Sequence, residues 1–138
     1  MQIHGSCIAR AGAAVVLIGP SGSGKSDLVL RLLDRGFTLV ADDRVDLQDG
    51  WASPPAALAG LLELRGLGLL RLDYTSRALV ALAVNLGVPE RLPAPQRWGQ
   101  FAVPLVTIDP RAASAAQLVE WALDCVQGRR TMVEGTFA

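Results

Sequence analysis

The sequence predicts an α/β domain, and three observations carry that prediction. An unbroken apolar run at residues 14–18 leads into a glycine- and serine-rich loop at 19–24, and helical periodicity and a second apolar run follow. Strand, loop, helix and strand in about 30 residues form a βαβ-type unit. Further short apolar runs alternate with glycine, proline and Asp-Gly turns. A second stretch of helical spacing lies near the C-terminus. A length of 138 residues suits one domain, and 51% apolar against 19% charged residues argues for a packed core rather than disorder.

Residues 3–10 and 14–18 read as two strands around an Ala11-Gly12 turn. The second, Ala-Val-Val-Leu-Ile, is apolar throughout, as a strand buried on both faces should be. Residues 25–35 place Leu28, Val29, Leu32 and Leu33 at helical spacing, and Gly36 stops the helix. Residues 37–41 form the next strand and end at Asp42-Asp43. Residues 44–48 alternate and meet an Asp49-Gly50 turn, which predicts a short hairpin. Pro54-Pro55 opens a short helix running to about Leu62, because proline suits a first helical turn. Residues 63–68 are punctuated by glycine and read as a loop. Residues 69–72 and 78–86 read as strands, and 88–100, with three prolines, as a loop. A final strand spans 101–108, and a final helix spans 115–126 with Leu118, Val119, Ala122 and Leu123 on one face. Residues 128–138 are expected to fray.

Thirteen basic residues balance thirteen acidic ones, so a general nucleic-acid binder is not expected. No apolar run is long enough to span a bilayer, and no signal peptide opens the chain, so a cytoplasmic protein without a membrane partner is expected. Cys7 and Cys125 match no metal spacing and read as small apolar residues. Twelve of the thirteen basic residues are arginine, and the single lysine is Lys25.

Lys25 falls in Gly19-Pro20-Ser21-Gly22-Ser23-Gly24-Lys25-Ser26, a full G-x-x-x-x-G-K-[ST] match between a buried strand and an amphipathic helix. Glycines let backbone N–H groups wrap phosphate oxygens, and the helix N-terminus faces the same anions. Lys25 neutralises phosphate charge, and the Ser26 hydroxyl suits Mg²⁺. Asp42 and Asp43 end the following strand, where one carboxylate can attend a metal and the other serve as a general base. An Asp-Asp-Arg sequence is also ordinary turn chemistry. Glu63 and Arg65 offer a second metal ligand and a phosphate clamp, or a plain salt bridge. His4, the single histidine, reads on its own as a half-exposed strand residue.

Taken together these residues resemble the catalytic, C-terminal domain of HPr kinase/phosphorylase. That bacterial enzyme phosphorylates a serine of HPr, the phosphocarrier of the sugar phosphotransferase system. The matching pieces are His4-Gly5, the loop at 19–26, Leu39-Val40-Ala41-Asp42-Asp43-Arg44-Val45, and Leu61-Leu62-Glu63-Leu64-Arg65-Gly66-Leu67-Gly68-Leu69. The last is similar to the family's L-E-I-R-G-L-G-I. The resemblance covers about residues 3–92. It implies a single P-loop kinase domain over 1–138, of the phosphoenolpyruvate-carboxykinase-like type, with a mixed central sheet and flanking helices. It implies ATP and Mg²⁺ as cofactors and an HPr-like phosphocarrier as partner. By the same match His4 is an active-site residue, and Lys25 and Ser26 serve ATP and Mg²⁺. Asp43 is the base that accepts the serine proton, Asp42 its structural or metal-side partner, and Glu63 a Mg²⁺ ligand. Arg91, in Glu90-Arg91-Leu92, matches the active-site arginine, with Arg97 as the alternative. The chain departs from the long form in lacking its N-terminal domain and the basic loop tied to phosphorylase activity. It therefore resembles the short form, for which kinase activity is the firmer expectation and a homo-oligomer stays open. A P-loop kinase for a small molecule and a non-catalytic ATP-sensing module are the rival readings.

Overall fold

A computed structural model describes residues 1–138, with every side chain except that of Gln100. In chain order it comprises β1 (Gln2–His4), β2 (Ser6–Arg10), β3 (Ala13–Ile18), α1 (Lys25–Leu33), β4 (Thr38–Ala41), β5 (Arg44–Gln48) and β6 (Trp51–Ser53). There follow β7 (Leu61–Leu64), β8 (Gly68–Arg71), β9 (Ala78–Leu86), β10 (Gln96–Trp98), β11 (Val103–Ile108) and α2 (Ala115–Val126). The fold is α/β with a mixed sheet, as expected. The main sheet runs β1-β5-β6-β9-β3-β2-β4, and β11 joins β9 and carries β10 on its outer edge. The β7–β8 hairpin pairs only with itself.

Three strands set the working edge. β3, β9 and β11 are parallel, with Ile18 opposite Asn85 and Ile108 opposite Leu86. β2 is antiparallel to both β3 and β4, so β4 points the same way as β3. The loop after β3, the Asp pair after β4 and the start of β2 therefore meet at one end of the sheet. Crevices at the carboxyl ends of parallel strands are where open α/β sheets bind ligands.

Along β3 the side chains alternate between two cores. Val15 and Leu17 join Leu28, Leu32, Leu82 and Leu123 in the larger cluster, which both helices cover. Ala14 and Val16 join Cys7, Val40, Val45 and Ala52 on the other face, where neither α1 nor α2 contributes a residue to the cluster among the described residues. Burial pushes the Cys7 thiol far above its usual range, so it is inert packing, in line with the sequence.

Several elements differ from expectation. Residues 3–10 are two strands rather than one, divided at Gly5. A Cβ there would lie 2.9 Å from the Leu17 carbonyl oxygen, and the chain changes partner from β5 to β3 and β4. The expected helix after Pro54-Pro55 is a single 3-10 turn, Ala56–Leu58. The predicted loop at 63–68 falls within the β7–β8 hairpin: Leu62 is buried, Glu63 exposed, and Gly66 turns the chain at φ +86°. That is two-residue periodicity hidden by glycines. The predicted loop at 88–100 contains β10, an edge strand where nearby prolines are tolerated. Leu118 is exposed instead of packed, and Asp124 takes a buried place on α2. Residues 128–138 form no helix or strand, yet they do not fray away: Phe137 packs on the larger core and Thr136 is buried. No helix among the described residues is long and apolar enough to cross a membrane.

Asp124 holds the C-terminal segment to the sheet. Its carboxylate meets Arg10 Nη2 at 2.8 Å and Arg130 Nε at 2.9 Å, while its backbone oxygen accepts from the Arg129 and Arg130 amides. Burial raises the carboxyl's pKa, but hydrogen bonds and charge from Arg130 and Arg10 outweigh it, so the net shift is downward. A depressed carboxylate contributes stability above its unfolded value near pH 4 and loses it as pH falls through the lower folded value. Asp124→Asn is expected to cost roughly 2 kcal/mol at neutral pH, because both arginines lose a charged partner. Denaturant unfolding at pH 7 and at pH 3 would show the deficit shrinking in acid; a deficit equal at both pH values would contradict this account.

Candidate active site

The loop at 19–24 is closed from within. Ser23 N–H donates to the Pro20 oxygen at 3.1 Å, and Gly22 and Gly24 adopt φ of +80° and +100°. Side chains rarely accept that conformation, so glycine is required there. Gly24 is the N-cap of α1 and packs against Pro110, its notional Cβ lying 3.4 Å from the proline ring. Arg31 on α1 clamps the same segment, donating to the Pro110 oxygen at 2.6 Å and the Ala112 oxygen at 3.3 Å. The helix N-terminus is thus held against the exit of β11.

Lys25 opens α1 and is only 7% exposed. Its Nζ donates to the Gly19 oxygen at 2.6 Å and the Pro20 oxygen at 2.9 Å. Burial lowers its pKa below the ordinary value, and the charges of Asp42 and Asp43 partly restore it. Ser26, one residue on, donates to Asp42 at 3.0 and 3.1 Å, reaching both carboxylate oxygens. Asp42 is buried, and its Oδ1 also accepts from Ser6 Oγ at 2.7 Å.

Asp43 has the opposite environment. Its backbone takes φ +69°, its carbonyl accepts from Gly5 N–H at 3.0 Å, and its side chain is 63% exposed. An αL residue between two strands turns its side chain away from the run of its neighbours, and Asp is among the few types that tolerate it. His4 Nε2 lies 2.8 Å from Asp43 Oδ1. Two adjacent carboxylates therefore have different surroundings: one buried among hydroxyls, one open beside an imidazole.

These groups line one cleft of about 680 Å³. The β7–β8 hairpin also lines it and brings Glu63 and Arg65 to the same space as His4, Lys25, Ser26, Asp42 and Asp43. Of the loop, Ser21, Gly22 and Gly24 also face it, while the Gly19 and Pro20 carbonyls hold Lys25. Arg91 is not among the cleft's lining residues. It is exposed on the segment after β9, which leaves the same sheet edge, and its neighbours Pro89, Glu90 and Pro93 line a second cavity beside α2. Arg97 is occupied with the Ala102 oxygen at 2.6 Å. Ser6, in contrast, lines the cleft although nothing in the sequence singles it out.

The family model described as HPr Serine kinase C-terminal domain matches residues 1–76. HPr kinase/phosphorylase of Streptococcus thermophilus is 44% identical over 74 residues, 50% of this chain and 24% of its own. HPr kinase/phosphorylase 1 of Oceanobacillus iheyensis is 38% identical over 96 residues, 61% of this chain and 31% of its own. The chain therefore spans 24–31% of the length of these relatives. The solved structure of the Hpr(Ser) kinase/phosphatase from Coxiella burnetii superposes with a TM-score of 0.78 at 22% identity, covering 94% of this chain and 97% of that one, and shows the same fold. With the family match extending over more than half of its residues, the chain belongs to the HPr Serine kinase C-terminal domain family.

Proposed function

We propose that this chain is a protein serine kinase that uses ATP and Mg²⁺ to phosphorylate HPr or a related phosphocarrier. One observation carries the reading: the open Asp43–His4 pair stands in the same cleft as the phosphate-loop lysine. A P-loop alone says nucleotide. A carboxylate exposed beside the phosphate site adds a base for an incoming hydroxyl. The names of the relatives support the same substrate class.

The donor set suits Mg²⁺. Asp42, Ser26 and Glu63 offer hard oxygens, and Mg²⁺ is commonly held by one or two carboxylates together with substrate phosphates and water. When bound, the ion would neutralise charge on the transferring phosphoryl group. The protein's own work is positioning. The loop amides and Lys25 hold the phosphates, and Asp43 takes the proton of the serine hydroxyl. The serine oxygen bonds to the γ-phosphorus as its bond to the bridging oxygen breaks, and ADP leaves. In phosphorolysis, a separate reaction, inorganic phosphate would attack the phosphorus of the seryl phosphate, its bond to the serine oxygen would break, Asp43 would protonate that oxygen, and pyrophosphate would leave.

Incubation with γ-labelled ATP, Mg²⁺ and purified HPr tests the proposal. Label on an HPr serine is expected; measurable ATP binding with no labelled HPr would overturn it. Arginine variants sharpen the site. Arg65 faces the cleft, so Arg65→Ala is expected to lower turnover about 10²-fold with a smaller effect on nucleotide affinity. Arg91→Ala should stay near the wild-type rate. The opposite ranking would restore the phosphoryl clamp to Arg91.

A further inference from the structure

We infer that Ser6 is a positioning residue for the metal-side carboxylate, fixing Asp42 independently of the nucleotide loop. The inference rests on the kinase reading for its metal, and on the structure for its geometry. Ser6 is 0% exposed and begins a strand whose next three residues, Cys7, Ile8 and Ala9, are buried apolar side chains. A hydroxyl in such a place costs stability unless it is hydrogen-bonded. Its partner is Asp42 Oδ1, at 2.7 Å.

The two hydroxyls on Asp42 differ in how they are mounted. Ser26 belongs to the first turn of α1, directly after the loop that must accommodate a phosphate chain. Ser6 sits in a strand paired on both sides, opposite Leu17 on β3. The residue before it is pinned as well: Gly5 packs against the Leu17 carbonyl and donates to the Asp43 carbonyl. Ser6 is therefore a rigid donor whose place does not depend on the loop. It holds Oδ1 and leaves Oδ2, which accepts at 3.1 Å from Ser26 alone among the described residues, as the oxygen freer to meet a cation. Partners that orient a metal ligand in this way commonly contribute 10–100-fold to metal affinity.

The test uses Mn²⁺ in place of Mg²⁺, with a non-hydrolysable ATP analogue, and reads bound Mn²⁺ by electron paramagnetic resonance. Ser6→Ala is expected to weaken Mn²⁺ binding about tenfold, while nucleotide affinity in chelator stays unchanged. Ser6→Cys, which keeps the volume but is a weak donor, serves if the alanine variant fails to unfold cooperatively. Wild-type Mn²⁺ affinity in a folded variant would overturn the inference. So would an equal loss of metal-free nucleotide affinity, which would make Ser6 merely structural. Weaker Mn²⁺ binding in Ser6→Ala, together with a wild-type protein that labels no HPr, would sink the kinase reading and leave Ser6's role standing.

Discussion

Asp43→Asn is expected to lower phosphotransfer about 10³-fold while ATP affinity stays close to wild type. The two halves of that expectation have separate structural causes. On the proposed kinase reading, the exchange removes the group that accepts the serine proton and leaves an amide that cannot. The fold is spared because Asn is the other residue that tolerates φ near +69°, so the turn between β4 and β5 keeps its shape. Asp43 is also the exposed member of the pair, and the loop contacts belong to Lys25, Ser26 and Asp42. Turnover and nucleotide titration on the same preparation would check both halves. Equal loss of turnover and ATP binding would mean that Asp43 serves the nucleotide site and not the proton.

Lys25→Arg is expected to reduce turnover about 10²–10³-fold, in the range seen when one preorganised charge-stabilising donor is lost. Conservation of charge does not help. The ammonium sits between the carbonyls of Gly19 and Pro20, 2.6 and 2.9 Å away, inside a loop that leaves it 7% exposed. A planar guanidinium is broader and presents its donors in a fixed fork, so it fits neither the gap nor the two carbonyls at once. The buried lysine also has work to do on binding: phosphate oxygens must replace at least part of its carbonyl partnership. Unlike Asp43→Asn, this variant should lose nucleotide affinity together with turnover. Isothermal titration with ATP separates the two cases, and wild-type ATP affinity in Lys25→Arg would contradict the argument from fit.

The contrast shows what the sequence made readable. The phosphate loop was legible because its residue types are dictated by close backbone approach to an anion, and G-x-x-x-x-G-K-[ST] is one of the few spacings that satisfy it. The strand before it and α1 after it followed from unbroken apolar character and from Leu28, Val29 and Leu32 at helical spacing. The β7–β8 hairpin was not legible in the same way. Its glycines suggested a loop, while its pairing is made by Leu62 and Leu70 across a turn that Gly66 requires. β10 was masked by neighbouring prolines. Glu63 was given its role by resemblance and Arg65 was offered as a phosphate clamp on its chemistry, and the hairpin brings both to the cleft. Arg91 rested on a short local match, and it does not line the cleft although its segment leaves the same sheet edge. Ser6 gave no signal because one serine in an apolar strand looks ordinary until Asp42, 36 residues on, is seen to face it.

The topology has a consequence for synthesis of the chain. Every cleft residue lies between positions 4 and 68. The strand that closes the sheet around them is β9, whose residues pair with β3 on one side and with β6 and β11 on the other. A growing chain adds only about 5–20 residues per second. For a second or more the complete set of cleft residues will have left the ribosome while the inner ladder of β3 is still unpaired. An unpaired apolar strand is a template for joining another chain. The chemistry is encoded first, and the chain becomes safe from its neighbours only when β9 arrives.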